Sequence, residues 1–142
     1  MSTADRGRLR RAQLIERVRT AEHRQAALRA FDAEAARRKL EALAERTRAL
    51  AGHYAAAGEG LTVADLRGAG LLARHLRSLG RTAGEQAERA RVAADGSLTD
   101  LATAERRRDR AESSHRALHR AIAEIRSRPE MPLSKRTGTD VE

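Results

Sequence analysis

Apolar and small residues recur at alternating steps of three and four over most of the chain. In the first half, Ala36, Leu40, Leu43, Thr47, Leu50, Tyr54 and Ala57 keep that spacing. It places them on one stripe of a helix. Upstream, Leu14, Val18, Ala21, Gln25 and Leu28 form a similar stripe, offset by about one residue across positions 31–36. A strict seven-residue repeat has no such slip, so the offset predicts a local relaxation of the supercoil. No Pro interrupts the segment from Asp5 to Ala57, and one helix of about 5–57 is expected.

The stretch "GEGLTVADL" follows, with two Gly flanking Glu59. Thr62 with Asp65 three residues on resembles a capping box, Asp taking the place of the usual Glu or Gln. A second helix is therefore expected from about residue 63. Its stripe runs Leu72, Leu76, Leu79, Ala83, Gln86, Ala90 and Ala93. It resumes as Leu101, Ala104, Arg108, Ala111, His115, Leu118, Ile122 and Ile125. Joining the two runs near Asp95–Ser97 requires an extra step, a stutter. Gly80, Gly84 and Gly96 each cost about 1 kcal/mol relative to Ala inside a helix. They predict a softer second helix that bends near Gly96. Pro129 disfavours helix in the residue before it and ends the element at about 127.

Helices of this length with a sparse apolar stripe need a partner stripe. A turn of a few residues makes the nearest partner the other helix. The expected fold is all-α: a long antiparallel two-helix coiled-coil hairpin with a disordered C-terminal tail. It is one unit over 1–128, with helices at about 5–57 and 63–127, a turn at 58–62 and a flexible tail at 129–142.

Composition agrees with a rod. Among 142 residues, aromatics are 1% and charged residues 35%. Aromatic side chains normally fill a globular core, so a broad core is not expected. The 29 Lys and Arg outnumber the 20 Asp and Glu, a net charge of +9. Such a surface suits an anionic partner. With no Cys there is no disulfide, thiol nucleophile or Cys-based zinc site. The start, "MSTADRGRLRR", lacks the apolar region of a secretory signal, and no run reaches the roughly 20 apolar residues that span a bilayer. A cytoplasmic location is the default expectation.

Candidate chemistry is sparse. His115 and His119 lie one helical turn apart, a spacing that can bind a metal. No third ligand sits with them, so a seam His and an exposed His are expected. "AERRRDRAE", Ala104 to Glu112, spreads its Arg residues around the axis, with Arg108 on the seam; it reads first as a solvated face. "DRGRLRRAQLIERVR", Asp5 to Arg19, is the most basic part of the first helix. It lacks bulky membrane anchors and the aromatic stacking of nucleic-acid binders, which leaves a protein partner. "GEG" and "RGAG" lack the spacing and the preceding strand of a phosphate loop. Two thin helices enclose no catalytic pocket. Neither an enzyme nor a cofactor is expected.

A basic chain of this length, folded as a rod, resembles the FliJ/YscO-type stalk proteins of bacterial flagellar and type III export systems. "GLTVADLRGAGLLARHLRSLGRTAGEQAERARVAA", Gly60 to Ala94, is similar to that family's small turn, capped restart, Leu stripe and Gln. "DLATAERRRDRAESSHRAL" resembles the charged segment that follows. The resemblance spans about 9–126. It implies a non-enzymatic stalk that sits in the export ATPase ring, contacts the export gate and reaches the membrane only through those partners. It further implies that the helix ends enter the ring, with Arg8, Arg10, Arg11 and Arg17 beside Arg116, Arg120 and Arg126 as the partner-binding residues. On the residues alone, a nucleic-acid-binding coiled coil and a generic scaffold remain open alternatives.

Overall fold

The computed structural model describes residues 1–56 and 62–129. They form two helices, α1 (Thr3–Ala56) and α2 (Val63–Ser127), packed against each other. At 1.5 Å per residue these extend about 80 and 100 Å. Glu16 meets His115, His23 meets Arg108, and Thr47 lies beside Gly80. Early α1 thus faces late α2, and late α1 faces early α2: the helices run in opposite directions. The expected turn at 58–62 and tail at 129–142 fall, except for Thr62 and Pro129, outside the described residues. No described helix is long and apolar enough to cross a membrane.

Both helices begin with the same device. At α2, the Asp65 amide donates to Thr62 Oγ1 at 3.2 Å, and the Thr62 amide donates back to Asp65 Oδ2 at 3.2 Å. At α1, Asp5 N–H donates to Ser2 Oγ at 3.1 Å, and the Ser2 amide to Asp5 Oδ2 at 3.3 Å. Each box satisfies two backbone donors that a helix start leaves unpaired. The Ser2 and Thr62 hydroxyls, which also donate to these carboxylates, hold both Asp pKa values below the ordinary range.

The covered line of α1 is one unbroken alternation of fours and threes. It runs Asp5, Leu9, Ala12, Glu16, Arg19, His23, Ala26, Ala30, Ala33, Arg37, Leu40, Ala44, Thr47 and Ala51, each buried or half-buried. On α2 the matching line runs Ala69, Ala73, Leu76, Gly80, Ala83, Ala87, Ala90, Ala94 and Ser97. It continues through Leu101, Ala104, Arg108, Ala111, His115, Leu118 and Ile122.

This corrects two expectations. The slip at 31–36 does not occur, because Leu14, Val18 and Leu28 are half or more exposed and are not the seam. The stutter at 95–97 vanishes, because Ala73, Gly80, Ala87 and Ala94 are already in phase with Leu101. Helix α2 is unbroken through Gly96. From Leu101 to Ile122 the expected stripe and the seam coincide; Ile125 is 71% exposed.

The physical reason lies in size. Ala and Gly on facing lines let two backbones approach closely. A Cβ built on Gly80 would meet Thr47 Cγ2 and Arg48 Cγ at 3.7 Å, ordinary contact with no room left over. Leu40 and Leu76 are accommodated at the alternate seam positions, but Leu in place of Ala44, Ala51, Ala73 or Gly80 would hold the helices apart. Instead Leu43, Leu50, Leu72 and Leu79 stand one position before a buried Ala or Gly, half in water.

Candidate docking surfaces

The opposite run of the helices brings the expected partner-binding residues to one end. Arg8, Arg10, Arg11 and Arg17 on α1 lie alongside the part of α2 that carries Arg116, Arg120 and Arg126, and all seven are exposed. The two segments are tied by His115, whose Nδ1 lies 2.5 Å from Glu16 Oε2, both side chains largely covered. Arg17 borders a groove of about 500 Å³ shared with Gln13, Thr20, Arg24 and His115. Arg116 pairs with Glu112 within its own helix. Arg10, Arg17, Arg116 and Arg126 share one flank of the seam. Arg8 and Arg11 lie on the other, and Arg120 points away from it. The seven form a collar around the rod end, not one patch.

His115 is a seam residue and His119 is exposed. No group of three or more potential metal ligands occurs among the described residues. Arg108 is half-buried on the seam, its Nη1 3.4 Å from His23 Nδ1 and its Nη2 3.1 Å from Asp109 Oδ1. Arg106, Arg107 and Arg110 are exposed around it. Other charges are spent within helices. Arg37 and Arg91 hold Glu34 and Glu88 below the ordinary carboxylate range through direct hydrogen bonds, Arg37–Glu34 at 2.5 Å and Arg91–Glu88 at 2.6 Å.

A second basic surface, absent from the sequence reading, lies toward the turn. Arg48, Arg74, Arg77 and Arg81 surround a groove of about 680 Å³ floored by Ala51, Gly52, Ala55 and Gly80. Arg48 lies 3.6 Å from Glu45. The other three have no ion-pair partner among the described residues. The four come from segments far apart in sequence and meet only through the packing. The signal that finds them is the seam itself: with Ala51 and Gly80 buried, the positions beside them on one flank are these Arg.

No known family, curated protein or solved structure matches this chain.

Proposed function

We propose that the chain is an antiparallel coiled-coil hairpin acting as a non-enzymatic rod of the FliJ/YscO export-stalk kind. It would engage the ring of a flagellar or type III export ATPase and the export gate at the cytoplasmic side of the apparatus. The observation that carries this reading is the paired rod end. Two helices packed along their length bring seven exposed Arg together where their terminal segments lie side by side. A positively charged end suits insertion into an acidic ring, where complementary charge sets orientation and speeds encounter. The described residues supply neither an enclosed pocket for catalysis nor a platform of aromatics for stacking bases. Its single Phe, Phe31, stands alone and 73% exposed.

The test is ATP hydrolysis by a purified export ATPase with and without the full chain. The wild-type chain is expected to raise the rate. The triple variant R10E/R11E/R17E, all at exposed positions, is expected to abolish that rise while keeping its helix content. Undiminished stimulation by the triple variant overturns this reading.

A further inference from the structure

Each helix carries two apolar lines, and only one is used. Writing the repeat abcdefg, with a at Ala44 and Ala73, the seam occupies a and d. The Leu residues at 43, 50, 72 and 79 all occupy g. Those four are 50, 48, 39 and 48% exposed. In an opposed pair the g positions of both helices flank the same side of the seam. The grooves show this directly: Glu22, Arg29, Asp100 and Arg107, all g, border one groove, whereas Arg48 and Arg77, both e, border the groove on the other side. A helix apolar at a, d and g is patterned for a bundle of more than two helices. The second line therefore awaits another helix.

The unused face is confined to the half of the rod toward the turn. Toward the termini the g positions of α1 and α2 include the four charged residues just named, with Ile15 the one large apolar side chain among them. Its rim is the neighbouring c position, where Lys39, Arg46, His53, His75 and Arg89 stand. Between 36 and 54 on α1, and between 72 and 93 on α2, no c or g position holds a carboxylate. A second copy of the chain would set this basic rim against itself, a repulsion that disfavours self-association. We infer that the face formed by Leu43, Leu50, Leu72 and Leu79 receives an acidic amphipathic helix of another protein. That helix lies along this flank of the α1–α2 seam, its apolar stripe on the Leu lines and its carboxylates against Lys39, Arg46 and Arg89. The mode is the helix-in-groove docking common to peptide-binding helical folds. This inference rests on the packing of the pair and is independent of the export-stalk reading.

The probe is a labelled synthetic helix of four heptads, with Leu at its a and d positions and Glu at e and g. Its twin carries Lys in place of every Glu. Binding to the full chain is read by fluorescence anisotropy, and the oligomeric state of the chain alone by sedimentation. The Glu probe is expected to bind an elongated monomer and the Lys twin to fail. L50Q/L79Q is expected to weaken binding at least tenfold. So is the rim variant K39E/R46E/R89E, whose changes touch no seam residue and leave folding intact. The inference is overturned by any of four results: no binding of the Glu probe, equal binding of the twin, a wild-type dimer that L50Q/L79Q dissociates, or a DNA duplex that displaces the Glu probe through the same residues.

Discussion

At the scale of single residues, the two helix starts are the most exactly specified points of the chain. Thr62 and Asp65 are legible as a capping box from residue type and spacing alone. Ser2 and Asp5 make the same box, but no Gly-rich break announces the start of α1. Thr62→Ala is expected to cost about 1 kcal/mol, read by urea unfolding followed by circular dichroism. The folded pKa of Asp65 lies below its ordinary 3.8. Its contribution is therefore complete above that value and lost as pH falls through the lower, folded one. The stability difference between wild type and Asp65→Asn should shrink as pH drops below about 4. A difference that holds constant to low pH contradicts the box. Gly80 lies on the seam, where an added Cβ meets its neighbours at ordinary contact distance. Gly80→Ala is thus expected to stabilise through helix propensity, and Gly84→Ala and Gly96→Ala, facing open space, to stabilise by about 1 kcal/mol each.

At the scale of the helices, existence, direction and the cap at α2 were readable from spacing and from turn residues. The seam was only half readable, and the reason is specific. The Leu stripe and the true seam share their d positions, Leu40, Thr47, Leu76, Ala83 and Ala90. They differ in the companion position, g for the stripe and a for the seam. Hydrophobicity ranks Leu43 and Leu50 above Ala44 and Ala51 and so selects g. Packing selects a, because small residues bring two long backbones into continuous contact, and the sum of many close contacts outweighs a few larger ones. The same substitution of g for a created the false stutter in α2, whereas the false slip in α1 came from Leu14, Val18 and Leu28, which lie at f and c on the outer face. Beyond Leu101 the two criteria agree, and there the expected stripe and the packing coincide.

At the scale of the molecule, charge was legible as a total and not as a map. The basic segment 5–19 was plain, but its encounter with Arg116, Arg120 and Arg126 depends on the opposed packing. The groove of Arg48, Arg74, Arg77 and Arg81 depends on it entirely. The chain exposes 11834 Å², against about 7,200 Å² for a compact protein of this mass. That excess is the geometry of two long paired helices: little interior and much surface. Ala and Gly fold the rod on one line, and Leu faces outward on the next. The division between a line that folds and a line that docks is the central claim.

Thermal unfolding by circular dichroism tests it with two quadruple variants. L43Q/L50Q/L72Q/L79Q alters only the outward line and is expected to keep its helix content and melt within a few degrees of wild type. A44Q/A51Q/A73Q/A87Q forces bulk and polar groups into the seam, at about 1–3 kcal/mol per site, and is expected to lose its cooperative melt. If the Leu variant collapses and the Ala variant survives, the seam is the Leu line and the account is wrong.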